Sequence, residues 1–351
     1  MTLLPGLIDM HTHLAMDIDR ESFIRPVKGG SADGALRGAH NARKTLRAGF
    51  TTVRNVGEQD FQELVGVALM RAVEAGLIEG PRIIPAGHPL SITGGHCDVT
   101  GFAPGVLERG PEAGIADGTD AILRARSYQI KHDAKFIKVC ATAGVLSFEE
   151  DIGAQQFSAE ELQVAVQEAR RHGLKVAAHA HGTAGIIAAI QAGVASIEHG
   201  SMLNDEAIQL MLEKGTYLVP TAYLLDAIDL DALPPLIREK GKTVIPLAKK
   251  SLRRALQAGV KIAFGTDAAL FPHGDNAKEF AVLVELGMTP LEAIRAATVN
   301  ATDLLGKDDR GVITPGRLAD IIAVPGDPLA DIRVLEDVRF MMQGGKVIKR
   351  P

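Results

Sequence analysis

Short runs of β-branched and apolar residues recur along the chain. Between them lie longer stretches in which apolar positions return every three or four residues. The short runs are Leu7–His13, Thr51–Gly57, Arg82–Gly87, Phe136–Thr142, Lys175–His181, Ser196–His199, Thr216–Thr221 and Lys261–Asp267. Apolar runs of this length, bounded by turn residues, predict strands buried on both faces. The stretches between them predict helices over Ala35–Ala48, Phe61–Ala75, Ala121–His132, Ala159–His172, Gly185–Ala192, Asp205–Lys214, Val244–Ala258 and Asn276–Leu286. Several stop at a glycine, as at Ala48-Gly49, His172-Gly173 and Lys214-Gly215, where a left-handed residue ends the helix before the next strand. Eight strands alternating with helices predict an α/β fold, a parallel sheet closed into a (β/α)8 TIM barrel. An open doubly wound sheet is the alternative, and the absence of a G-x-G-x-x-G turn after the first strand counts against it. After Leu305 the pattern changes. Gly316–Pro325 and Val338–Ile348 read as short strands, the second a hairpin around Gly344-Gly345. The expected division is therefore a barrel over 1–305 and a small β-sandwich appendage over 306–351.

Composition narrows the class. The 351 residues are 46% hydrophobic, and 38 Lys+Arg against 43 Asp+Glu leave a net charge of −5. The basic residues are scattered, so no nucleic-acid stripe is present. No run reaches the ~18 apolar residues that cross a bilayer, and no leader pattern opens the chain as written, which leads us to expect a cytoplasmic protein. Two cysteines, Cys97 and Cys140, are too few for a disulfide framework or a Cys-rich zinc module, and Cys140 reads as a small buried packing residue.

The 11 histidines carry the chemistry. Reactive residues of a (β/α)8 barrel sit at the C-terminal ends of its strands. His11 and His13 end the first predicted strand, His179 and His181 the fifth, His199 the sixth and Asp267 the eighth. Alternation along a strand points His11 and His13 to the same side. Neutral imidazoles with a carboxylate suit zinc or a similar divalent ion. Lys138, in the fourth strand, is open to two readings. It could pair with a neighbouring carboxylate, or react with carbon dioxide to give a carbamate, an anionic ligand that an ammonium cannot be.

Together these residues amount to a family likeness. Leu4–Leu14 (LPGLIDMHTHL), Lys138 in IKVCATAG, His179 in VAAHAHG, His199 in IEHG and Asp267 in FGTDA resemble the metal-dependent amidohydrolase superfamily. Ser91–Gly101 (SITGGHCDVTG) and Phe271–Ala277 (FPHGDNA) are similar to loops of its imidazolonepropionase-like and Xaa-Pro dipeptidase group. The resemblance implies a binuclear site with two divalent ions, most commonly Zn2+. His11, His13 and Asp267 would hold one ion and His179 and His199 the other, bridged by Lys138 carboxylated by carbon dioxide. His181 is the alternative to His179, or an outer partner that orients it. A metal-bridging hydroxide would attack an amide, and Asp267 would relay the proton. His96 and Tyr223 are candidates for the substrate carbonyl or carboxylate, with His181 beside them, whereas His273 would fix its loop. The implied reaction cleaves the amide before a C-terminal amino acid in Xaa-Pro or apolar dipeptides or N-acyl amino acids. A cyclic-amide hydrolase and a non-catalytic metal-stabilised barrel are the alternatives. The expected partners are a small molecule or short peptide and further copies of the chain in a homo-oligomer. Such proteins usually begin with several strands ahead of LPGLIDMHTH. Only four residues precede Pro5 here, so the C-terminal strands are expected to lack their usual partners, and a leader could be missing with that segment.

Overall fold

The computed structural model of the protein describes residues 1–19, 21–22, 24–58, 61–146 and 151–350, and contains seven of the eight predicted strands, most of them shorter than predicted. After a short β1 (Thr2–Pro5) come β2 (Leu7–Thr12), β3 (Phe50–Asn55), β4 (Arg82–Pro85), β5 (Ile137–Cys140), β6 (Val176–Ala180), β7 (Ser196–His199) and β8 (Tyr217–Val219). All pairs among β2 to β8 are parallel, in two sheets of order β2-β3-β4 and β5-β6-β7-β8. A single bridge, Leu90↔Val139, links the chain after β4 to β5.

The eighth predicted strand, Lys261–Asp267, forms no continuous ladder. Its backbone still bonds to both neighbours. Leu218 N–H donates to the Lys261 carbonyl at 2.9 Å, and Ala263 N–H to that of Leu218 at 3.0 Å. On the other side Met10 N–H donates to the Phe264 carbonyl and Asp267 N–H to that of His11, both at 2.8 Å. Bridges Leu218↔Ile262 and Thr12↔Ala268 mark the same contacts. At the end of this run Asp267 at φ 61° and Ala269 at φ 151° turn the chain out of the extended conformation.

The helices are α1 (Arg25–Lys28), α2 (Ser31–Arg47), α3 (Val65–Glu74), α4 (Thr119–Lys131), α5 (Ala159–Arg171), α6 (Thr183–Ala192), α7 (Asp205–Lys214), α8 (Leu224–Ala227), α9 (Pro235–Gln257), α10 (Lys278–Glu285), α11 (Pro290–Arg295) and α12 (Ala301–Leu305). Local chemistry sets several of their ends. Ser158 and Glu161 form a capping box that starts α5, and Asn204 accepts from Ala207 N–H at 2.8 Å to start α7. Gly215 ends α7 at φ 68° with nothing within 4 Å of a would-be Cβ, so its backbone conformation is what asks for glycine. Helix α9 starts at Pro235 rather than at the predicted Val244. Pro235 and Gly241 look like helix breakers in the sequence, but proline in the first turn needs no amide donor there, and the helix also carries Pro246 in its interior.

The C-terminal strands β9 (Ile321–Val324), β10 (Phe340–Gln343) and β11 (Lys346–Lys349) form an antiparallel sheet of order β1-β9-β10-β11. The expectation that they lack partners is corrected by β1. Residues 2–5 pair with β9 in register Thr2↔Val324 to Pro5↔Ile321, and Leu4 is buried at the seam. A four-residue segment suffices because β9 itself is only four residues long. The main core packs the helices onto the parallel sheets, and the Phe50, Phe264 and Phe280 rings stack through it at 5.6 and 4.3 Å. Among the described residues no helix is long and apolar enough to cross a membrane.

Candidate active site

The strand ends bring the predicted histidines to one place. His11 is the last residue but one of β2, and His13 follows the strand directly. His13 Nδ1 donates to the Gly57 carbonyl at 2.5 Å, and His11 Nδ1 bonds the Glu198 carboxylate at 2.7 Å. Each of these bonds fixes the tautomer that leaves Nε2 with its lone pair. Both Nε2 atoms face Asp267 Oδ1, at 3.5 Å from His11 and 3.2 Å from His13. A second trio joins His179 on β6, His181 just past it and His199 at the end of β7. In each trio the donor atoms all lie within 4.8 Å of one another. His11 and His199, one from each trio, have ring centroids 5.0 Å apart.

The backbone is bent to achieve this. His199, Thr221 and Asp267 hold φ values of 69°, 49° and 61°, a region that non-glycine residues enter at a cost. The turn at His199 lets two adjacent residues, Glu198 and His199, serve one site where regular alternation would send them to opposite faces. Thr221 Oγ1 lies 2.9 Å from His199 Nδ1, and Ser201 Oγ 2.7 Å from His181 Nδ1.

Three supporting carboxylates were missed in the sequence. Glu198 is fully buried, binds His11, and accepts from Arg54 and Ser196 at 2.6 and 2.5 Å. Its place in IEHG beside a candidate ligand was the available signal. Asp9 accepts from Thr266 N–H and Oγ1, from Asn276 and from His11 N–H, which ties β2 to the segment carrying Asp267. Glu279 accepts from the Ala222 and Tyr223 amides and anchors the chain after β8, and burial pushes its carboxyl up to about 8.

Burial also sets the charge state of the histidines. It pushes His11 and His181 down to about 4 and His96 to about 3, and holds His179 and His199 well below the usual imidazole value. For His13 burial acts in the same sense, but the hydrogen bond and charge of Asp267 outweigh it and raise the value. Burial alone would raise Asp267. The neighbouring histidines, His11 foremost, hold it far below the carboxylate range. Lys138 is buried and pushed down to about 8, first by desolvation. Glu198 and Asp267 pull it the other way, while the Glu198 carboxylate is also shared with His11 and Arg54.

The donor set fits divalent metal. Neutral buried imidazoles converge with one anionic carboxylate, and His179 Nε2 is buried without a hydrogen-bond partner. A buried polar atom left this way is costly unless a ligand satisfies it.

The remaining candidates fall differently. The His96 ring stacks on His179 at a centroid distance of 4.1 Å, with Nδ1 buried and unpartnered. Tyr223 packs edge-on against Phe271 at 4.8 Å, and its neighbours Leu224 and Leu225 line the cavity. His273 holds its loop through Nε2 and the Met16 carbonyl at 3.1 Å. Cys140 is more than packing. It is joined to Cys97 by a disulfide with a Cα–Cα distance of 6.1 Å, because the loop after β4 folds back over the end of β5.

The histidines, Lys138 and Asp267 face a cavity of about 250 Å³. Its opposite wall is apolar, built by Leu224, Leu225 and Ile228 around α8 and by Val244, Ile245 and Ala248 of α9.

The chain matches the model of the amidohydrolase family over residues 2–349. It is 37% identical to ochratoxinase of Aspergillus niger, over 99% of this chain and 76% of that protein. The crystal structure of a Xaa-Pro dipeptidase with methionine bound in its active site is similar at a TM-score of 0.94 and 40% identity, covering 99% of this chain and 87% of that one. A prolidase complexed with N-methylphosphonate-L-proline is similar at a TM-score of 0.90 and 32% identity, covering 100% and 87%.

Proposed function

Since the chain belongs to the amidohydrolase family and is a hydrolase of amide or peptide bonds, we propose that it releases a C-terminal amino acid, proline or an apolar residue, from dipeptides or N-acyl amino acids. In this reading residues 1–305 are a (β/α)8 barrel, supported by the parallel pairs and the bridges at Leu90, Leu218 and Thr12, and residues 306–351 are its β appendage. His11, His13 and Asp267 would hold one divalent ion and His179 and His199 another, zinc being the fit for this donor set, and Lys138 as its carbamate would supply a further anionic ligand. When bound, such ions polarise a carbonyl and make water acidic enough to lose a proton near neutral pH. Asp267, anionic and within 3.5 Å of both His11 and His13, would hold a proton at its carboxylate and pass it to the departing amine. His11 and His13 are held for this by Glu198 and Gly57. His96 and His181 offer ring N–H groups to the substrate carbonyl or α-carboxylate, and Tyr223 is a third candidate beside the wall.

The observation that carries the proposal is the two-sided cavity, with polar chemistry on the strand ends and an apolar wall from α8 and α9. Among the described residues its lining holds two carboxylates, Asp98 and Asp267. Asp98 spends its carboxylate on the amides of Gly94 and Val99, and Asp275 pairs with Lys278 outside the cavity lining. A panel of dipeptides, N-acyl amino acids and cyclic amides, assayed beside metal analysis, tests this. Free acids with an apolar C-terminal residue are expected to be turned over with two ions bound per chain. Amidating the substrate C-terminus should lower kcat/KM about 10- to 100-fold through the loss of a charge-assisted hydrogen bond. Equal turnover of acid and amide would overturn carboxylate recognition and favour the cyclic-amide reading.

A further inference from the structure

The disulfide lies inside the cavity. Cys97 follows His96 directly, Cys140 stands two residues after Lys138 on β5, and both line the same space as the histidines. Their Cα atoms are 6.1 Å apart, inside the range that a disulfide spans without moving the backbone. Cys140 is fully buried and Cys97 is 8% exposed, so a reagent reaches the sulfurs by way of the cavity.

The disulfide is the covalent link that joins the residue after His96 to β5. His96 Nδ1 has no partner, so no bond at that atom orients the ring. The ring is wedged between His179 and Gly144, where a Cβ would lie 2.1 Å from His96 Cε1. The loop carries ties within itself and to its neighbours. Asp98 accepts from Gly94 N–H, Cys97 N–H donates to Ser91 Oγ at 3.3 Å, Thr93 bonds Asp117 through its amide and its hydroxyl, and His96 N–H donates to Gln156 at 3.0 Å. Strand β5, by contrast, does not need the disulfide. Cys140 is in register with His179 of β6, and Val139 bridges Leu90. Breaking the bond therefore removes the covalent tie between the His96 loop and β5 and leaves the strand in place.

We propose that Cys97–Cys140 is a redox modification site, reversed by small thiols of the glutathione class, that positions His96 in the site when oxidised and releases it when reduced. The role assigned to His96 rests on the function proposed above, whereas the reversible bond does not. In the reaction a thiolate R–S⁻ attacks Cys97 Sγ and the S–S bond breaks. Cys140 leaves and takes a proton, and Cys97 carries a mixed disulfide. A second thiol attacks the R sulfur of that mixed disulfide and frees Cys97. The products are R–S–S–R and two cysteine thiols, so two electrons and two protons pass from reductant to protein. Because access is through the cavity, an occupant of the cavity should slow the exchange.

The test uses the full chain, metal-loaded, equilibrated in glutathione buffers from fully oxidised to fully reduced. Three readouts are taken: maleimide additions by intact mass, hydrogen exchange over residues 91–101, and steady-state kinetics. The expected result is no addition when oxidised and two when reduced, with exchange in 91–101 faster in the reduced form. On reduction KM should rise about tenfold with metal content unchanged, and oxidised glutathione should restore it. Cys97→Ser should show the reduced kinetics and no response to glutathione. Two thiols that oxidised glutathione never closes would overturn the modification site, and so would unchanged exchange in 91–101. If the thiols and the loop respond but KM does not, positioning of His96 is overturned. If no amide in the panel is hydrolysed in either state, the function proposed above fails while mass and exchange still decide the redox site.

Discussion

Lys138 is the residue whose environment speaks most directly to its chemistry. Burial and Arg54 push its amine down to about 8, against the pull of Glu198 and Asp267, so an appreciable fraction is neutral near that pH. The neutral amine is the form that adds carbon dioxide. Lys138→Ala is expected to lose bound metal and most of its activity, with partial recovery in a short carboxylic acid, read by metal analysis and kcat/KM. Full activity in the alanine variant would exclude the carbamate. Glu198 is the second decisive residue, since it answers both His11 and a buried Arg54. Glu198→Gln leaves that guanidinium without its charge partner, and truncating one side of a buried pair costs about 3–5 kcal/mol. A chemical denaturation curve should show that loss, and metal affinity should fall about 10- to 100-fold as His11 loses its orienting partner. Unchanged stability would mean that Arg54 is neutralised elsewhere.

Among the elements, the loops after β4 and β5 determine whether the strand-end chemistry is assembled. Gly144, just past β5, gives His96 its place by having no side chain. Gly144→Ala should displace the imidazole and lower kcat/KM about 10- to 100-fold while metal content stays at the wild-type level. Wild-type kinetics in this variant would show that the His96 position does not matter to turnover. Helix α9 works on the other side. Its Val244, Ile245 and Ala248 form the apolar wall, and its long reach from Pro235 is what carries them over the site.

For the whole molecule, the gathering of neutral histidines predicts acid lability. Burial holds His11, His181 and His273 at about 4, His96 at about 3, and His179 and His199 well below their usual value. The unfolded chain binds these protons near pH 6.5 and the folded chain does not. The contribution is therefore intact above pH 6.5 and lost as pH falls toward 4, at up to about 1.4 kcal/mol per pH unit for each histidine. His13, raised by Asp267, works the other way, as do Glu279, pushed up to about 8 by burial, and Asp9, pushed up to about 6, so three groups stand against these six. Chelator-treated protein should show Tm dropping steeply between pH 6.5 and 5, and added zinc should raise Tm at a fixed pH by binding only the folded form. A Tm that is level from pH 7 to 5 without metal would mean that these histidines are protonated in the fold.

The sequence by itself determined the alternation of strands and helices, because a buried strand and an amphipathic helix each write their own periodicity into the chain. It also placed His11, His13, His179, His199 and Asp267 at strand ends, since those residues lie next to the runs that form the strands. The extra length of α9 was hidden by Pro235 and Gly241, which act as breakers only outside a first turn or a packed contact. The turn at Asp267 and Ala269 that ends the Lys261–Asp267 run depends on φ angles that no local pattern records. What only the tertiary structure decided are the long-range pairs: Glu198 on His11 across 187 positions, Asp9 on Thr266 across 257, β1 on β9, and Cys97 on Cys140. Periodicity reports how a residue meets its neighbours in sequence. A hydrogen bond, a disulfide or a strand edge is chosen by whichever distant group the fold brings within about 3 to 6 Å, and that distance exists only once the chain has closed on itself.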